Sequence, residues 1–231
     1  LRQGVHARQQ QAVSPLDRAG REVPAEARLG GHLPAQLPLE QEAGSTFTAT
    51  VYAADQFFNP YEPNQFQQPA VWLEANTAFA QVGTTVTLAL GATTYPVWLP
   101  VASTTTLLTA KTQTAPFVAN STRVAVSPAR QLSGAWKLQL LIPNMLQDPG
   151  SATGFRNAPA TLSVGSTVTV RVNLVDAFYN TVYGTTTWIG SLSFPNVRLD
   201  FSDTNIAARG LVPPSLSLID GARQLSFIPV T

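Results

Sequence analysis

Two short stretches carry the residue types that could do chemistry at a fixed spacing. Asp55 and Asn59 close the stretch that begins Gly44-Ser45-Thr46, and Asp176 and Asn180 close the stretch that begins Gly165-Ser166-Thr167. Both sets hold at one offset, 121 residues, from the glycine to the asparagine. Oxygen-rich side chains at such a spacing are candidate calcium ligands. A full calcium site needs about six to eight oxygens, and neither stretch gathers further acids. The reading that fits these residues is a structural turn, because Asp and Asn side chains bond the local backbone and tolerate unusual dihedrals. No catalytic residue, metal ligand or cofactor site is assigned.

The other candidates are sparse. The histidines are His6 and His32, without metal-ligand spacing, and no Gly-x-Ser-x-Gly elbow accompanies them. Carboxylates such as Glu40, Glu62 and Glu74, or Asp200, Asp203 and Asp220, show no pairing of the kind a glycosidase needs across a sugar. The expectation is a protein that is not an enzyme. Trp72, Trp98, Trp136 and Trp188 could stack on sugars, but tryptophans in sandwich strands are core or interface anchors. Trp188, with Tyr183 nearby, is the candidate interface or ligand pair.

The elements that must position these residues are strands. Phe47, Ala49, Val51 and Ala53 alternate with Thr46, Thr48, Thr50 and Tyr52, the period of a half-buried strand ending in the Asp55 turn. Val168, Val170, Val172 and Leu174 alternate in the same way with Thr167, Thr169, Arg171 and Asn173. Between and after them come short Thr- and Val-rich runs bounded by Gly, Pro, Asn and Asp. Val197 answers Val71 at an offset of 126, and Ile228 answers Leu99 at 129. Pro96 and Pro100 mark the run from Tyr95 to Val101 as an edge strand. The fold class expected is all-β: two tandem immunoglobulin-like β-sandwich domains, over 35–134 and 135–231, after an extended N-terminal segment over 1–34.

Composition agrees. The chain has 231 residues, of which 12% are charged, about half the usual ~25%. The formal net charge is +1, so no broad footprint for nucleic acid exists. The N-terminal arginines, Arg2 to Arg28, interleave with Asp17, Glu22 and Glu26 as a solvated mixed-charge segment. With no cysteine, disulfides and thiol chemistry are excluded. No apolar run reaches the ~18 residues of a membrane-spanning helix.

Comparing the copies raises a question of completeness. The first copy continues past Val101 into strand-like runs at Thr104–Ala110 and Thr122–Val126, and the equivalents of these would lie beyond Thr231. Either the chain continues or a strand comes from elsewhere. Ala12-Val13-Ser14-Pro15 resembles Ala125-Val126-Ser127-Pro128 and is a candidate donated strand, filling a neighbouring copy by strand addition.

The run Val170 to Asn180 resembles the strand-turn signature of bacterial immunoglobulin-like repeats. Leu138 to Pro143, Pro149 to Gly154, Phe201-Ser202-Asp203 and Gly221 are similar to other stations of such repeats. A glycine usually precedes the asparagine in that turn, and here Phe58 and Tyr179 stand in its place. The resemblance implies a secreted or surface-attached bacterial protein: a stalk, filament or surface-layer module. The partners it implies are other copies in a head-to-tail polymer or further repeats of a longer chain. The alternatives are an adhesin module that binds a carbohydrate or cell-surface receptor, and a phage or virus fibre or capsid component.

Overall fold

In the computed structural model the chain is all-β. The structure describes residues 3–10, 40–55, 57–60, 68–114, 117–129, 136–183, 194–200 and 215–229. The strands are β1 (Gln3–Gln10), β2 (Glu40–Glu42), β3 (Thr46–Ala54), β4 (Ala70–Ala75), β5 (Gln81–Val82), β6 (Val86–Thr87), β7 (Ala92–Trp98), β8 (Ser103–Thr112), β9 (Phe117–Val118) and β10 (Asn120–Ser127). After them come β11 (Lys137–Leu141), β12 (Leu146–Gln147), β13 (Phe155–Arg156), β14 (Val168–Val175), β15 (Asn196–Val197), β16 (Leu216–Ser217) and β17 (Ala222–Phe227). Two compact units result. Unit 1 comprises Leu1–Gln41, Thr46–Trp98 and Thr104–Ala125. Unit 2 comprises Glu42–Ser45, Leu99–Ser103 and Val126–Thr231. The candidate donor residues Ala12, Val13, Ser14 and Pro15 lie outside the described residues.

Unit 1 holds two five-stranded sheets, ordered β5-β7-β3-β1-β9 and β2-β10-β8-β4-β6, with only the greater part of β2, β8 and β10. Alternation puts Ala49, Val51 and Ala53 of β3, and Tyr95 and Val97 of β7, into one buried layer. Val71 and Leu73 of β4, Leu108 and Ala110 of β8, and Val124 of β10 are buried from the other sheet. Burying each of the valines and leucines among them is worth about 1.5–3 kcal/mol. The two layers meet where the Tyr95 hydroxyl, buried, donates to the Val71 carbonyl at 2.6 Å. That bond gives a buried phenol the partner it requires. β1 pairs antiparallel with β3, Gly4 opposite Ala54 and Gln10 opposite Thr48.

The prolines led to one wrong expectation. β7 is not an edge strand, because β5 pairs with it at Trp98 and Val97. β5 is only two residues long and stops short of Pro96, so the missing proline N–H is not needed for that ladder.

Among the described residues, unit 2 holds a three-stranded sheet, ordered β11-β14-β17, and two two-stranded pairs, β12-β13 and β15-β16. β14 lies between β11 and β17, and Val168, Val170, Val172 and Leu174 form a core with Val182, Val197, Leu218, Leu225 and Phe227. Trp136, Phe194, Leu199 and Leu216 pack against it. The repeat extends to single bonds. Leu88 N–H donates to the Pro69 carbonyl, and Leu218 N–H to the Pro195 carbonyl; Ala53 N–H donates to Gly91, and Leu174 N–H to Gly221. These pairs confirm the offset of 126 at β15. They correct the offset at β17 from 129 to 130: Phe47 faces Val97, and Val168 faces Phe227. A slip of one residue would have turned every β17 side chain to the opposite face.

Gly221 shows why that strand begins where it does. The Asp220-Gly221 turn has positive φ at both residues, 47° and 73°, as a tight two-residue turn demands. A Cβ on Gly221 would overlap the backbone carbonyl of Val182.

Candidate functional site: a paired aspartate–asparagine turn

In each copy the alternating strand ends in a turn built on one carboxylate. Asp55 N–H donates to the Asn59 carbonyl, and Phe58 N–H to the Asp55 carbonyl. Asp55 Oδ1 accepts the N–H groups of Phe57 and Asn59 at 2.8 and 2.9 Å. Asn59 Nδ2 donates to Asp55 Oδ2 at 3.0 Å. The second turn repeats all of this: Asp176 Oδ1 accepts Phe178 and Asn180 N–H at 2.8 and 2.9 Å, and Asn180 Nδ2 donates to Asp176 Oδ2 at 2.9 Å. The turns need these side chains because Phe58 and Tyr179 are held at φ of 69° and 65°. An aromatic residue there is strained and must be held by its surroundings.

The two turns differ in what covers them. Asp176 and Asn180 are buried, at 0% and 2% exposure. Within unit 2, Asp176 Oδ2 also accepts the N–H of Ala129 at 2.7 Å. The Asn180 side chain accepts the Ala102 N–H at 2.7 Å and donates to the Pro100 carbonyl at 2.8 Å. The Phe178 ring lies against Gly44, so that a Cβ there would overlap it. Tyr179 is clamped too: its ring lies on Gly154, Lys137 Nζ sits 3.5 Å from the ring centroid, and its carbonyl accepts from Gln147 Nε2 at 2.6 Å. In the first turn Phe57 is 72% exposed and Phe58 62%.

This difference reverses the electrostatics. Burial pushes the Asp176 carboxyl above its ordinary range, against the downward pull of Ala129, Asn180 and Phe178. The Asn59 side-chain amide, with the N–H groups of Asn59 and Phe57, holds the Asp55 carboxyl below that range.

Chemically the arrangement binds backbone. The two Asp176 oxygens already accept four N–H donors, so the carboxylate has no lone pair left for a cation. Among the described residues no group of three or more His, Cys, Asp or Glu could hold a metal ion. His6 lies in β1, and His32 outside the described residues. Trp188 also lies outside them, and Tyr183 is half-buried. Trp136 packs on the core of unit 2 and donates its indole N–H to the Ala129 carbonyl at 3.0 Å. Trp72 donates to Glu74 at 2.9 Å.

Sequence reasoning singled out Asp176 and Asn180 but not Pro100, Ala102 and Ala129, which bond them. These act through backbone groups that every residue type carries, so no side-chain signal marks them. Gly44 and its partner Phe178 both carried a signal, since they recur as Gly165 and Phe57, but nothing in the sequence marks that the two touch.

No protein-family profile matches the chain, and no curated protein sequence matches it. Among solved structures it is similar to bacterial adhesins and to a surface-layer protein. The adhesin InvE of Yersinia pseudotuberculosis is 13% identical, with a TM-score of 0.33, over 84% of this chain and 49% of that one. The Escherichia coli adhesin FdeC is 11% identical, with a TM-score of 0.33, over 83% of this chain and 57% of that one. Domains 4–9 of the surface-layer protein SbsC are 18% identical, with a TM-score of 0.30, over 83% of this chain and 25% of that one. The chain thus spans between a quarter and somewhat over half of these structures.

Proposed function

We propose that this chain is a non-catalytic structural module of a bacterial cell-surface or extracellular assembly, working in series with units like itself. The observation that carries the reading is the Asp176–Asn180 turn. A buried carboxylate and a buried amide spend their hydrogen bonds on each other, on backbone N–H groups of their own turn and on backbone groups of residues 100, 102 and 129. Buried polar groups so satisfied specify geometry and offer nothing to a substrate. The repeat of the same turn 121 residues earlier makes the device modular. A mixed, weakly charged surface suits close lateral packing, and the strand-turn resemblance implies the same setting. Immunogold labelling of intact cells with an antibody to the folded chain tests the reading. Label on the cell exterior or on shed fibres is expected, and label confined to the cytoplasm overturns it.

One observation favours a second reading, a sugar-binding module. An open cleft in unit 1 is lined by Trp72, Thr84, Thr85, Gln113 and Thr114. That set combines an aromatic face with hydroxyl and amide groups. A glycan array that lights up, and dims with Trp72→Ala, would decide for it; a blank array decides against it.

A further inference from the structure

We propose that the Asp55–Asn59 turn is a docking surface for a second copy of this chain, whose Gly165 turn it receives. This rests on the reading of the chain as a module in series and names its partner.

The molecule contains one finished example of the contact. Within unit 2 the turn at Asp176 is covered: Phe178 lies on Gly44, and Ala43 beside that glycine is 2% exposed. The chain also contains the two halves of the contact apart. Phe57 occupies the place of Phe178 in the other turn, on the same carboxylate-bonded backbone, and is 72% exposed.

Gly165 occupies the place of Gly44. Its φ is 78° against 77°, and its N–H donates to the Pro229 carbonyl at 2.9 Å, as Gly44 donates to Leu99 at 2.9 Å. A Cβ on Gly165 would meet nothing within 4 Å. Its neighbour Val164, in the place of Ala43, is 59% exposed, and Leu162 is 37% exposed.

One surface thus offers an exposed aromatic ring on a rigid turn. The other offers a bare glycine flanked by exposed aliphatic side chains. Phe57 of one copy set on Gly165 of the next would repeat the Phe178–Gly44 contact and cover both apolar patches. The two surfaces are different and lie in different units, so the contact is heterologous and leaves a free half at each end. Such contacts extend into open series unless a rotation closes them.

Sedimentation velocity on the full chain at rising concentration tests this, alongside NMR shifts of the amides at 57–59 and 163–166. The mass should climb with concentration without reaching a fixed oligomer, and both sets of amides should shift together. Phe57→Ser and Gly165→Asn (asparagine tolerates positive φ) should each weaken self-association about tenfold or more. Mixed one to one, they should form a dimer, since each supplies the half that the other lacks. Unfolding curves matching the parent show that both variants fold. A chain whose mass and amides do not change up to its solubility limit overturns the proposal. So does association that both variants retain, or variants that fail to complement each other. Those results leave the structural-module reading standing if surface label is still seen; cytoplasmic label removes that reading whatever the mass.

Discussion

Asp55 and Asp176 accept the same three bonds from their own turns, yet Asp176 is fully buried and accepts a fourth from Ala129. One local structure is thus set in two environments, and that contrast makes its role measurable.

The two carboxyls should titrate on opposite sides of the ordinary value of 3.8, Asp55 below it and Asp176 above. The linkage signs are opposite as well. Asp55 contributes stability that is present above 3.8 and lost as pH falls through its folded value. Asp176, ionised in a buried site, lowers stability at neutral pH, and that cost is relieved as pH falls from its folded value toward 3.8. Carboxyl-carbon NMR titration reads both midpoints. Two midpoints on the same side of 3.8 would contradict the burial difference.

Removing the asparagine should be costly in only one copy. Asn180→Ala leaves the Pro100 carbonyl and the Ala102 N–H without their partner in a buried site, a loss of about 2–3 kcal/mol. Asn59→Ala removes an exposed amide and should cost about 0.5 kcal/mol. Urea unfolding of the two variants gives the comparison; equal losses would argue against the assigned role of Asn180.

A third prediction concerns Asn173, which is fully buried. It accepts from Arg171 Nε at 2.8 Å and donates to Gln139 Oε1 at 3.3 Å, while Gln139 in turn donates to the Gly154 carbonyl at 2.8 Å. Asn173→Val fits the strand equally well but breaks this network, and should cost about 1–3 kcal/mol. A variant as stable as the parent would show that the network carries little.

Glycine positions with like dihedrals should differ by their surroundings. Gly165→Ala meets open space and should cost only the backbone strain, about 1–2 kcal/mol. Gly221→Ala adds an overlap with the Val182 carbonyl and should cost at least ~3 kcal/mol. Thermal unfolding of the pair decides it.

Asn173 also marks the limit of what could be read from the chain. Strict alternation put it on the polar face of β14 with Thr169 and Arg171. The structure buries it because Gln139 and Gln147 approach from that side, and periodicity along one strand cannot report what packs on its outer face. The same limit applied at β7, where two prolines spoke for an edge and a two-residue neighbour overrode them. The strands themselves were legible, since Phe47 to Ala53 and Val168 to Leu174 keep their period and end in an Asp-x-x-x-Asn turn. The turn's chemistry was legible too. Its burial in one copy was not, because the groups that cover Asp176 and Asn180 are peptide N–H and C=O groups of Pro100, Ala102 and Ala129.

Hydrogen exchange at two of those groups tests the central claim most directly. If the Asp176–Asn180 turn is a buried structural device, the amides of Ala102 and Ala129 exchange only when unit 2 opens. They should then be slowed by orders of magnitude relative to an unprotected peptide, and Asn180→Ala should release Ala102. Exchange of both amides at the rate of an exposed loop in the parent chain would contradict the account.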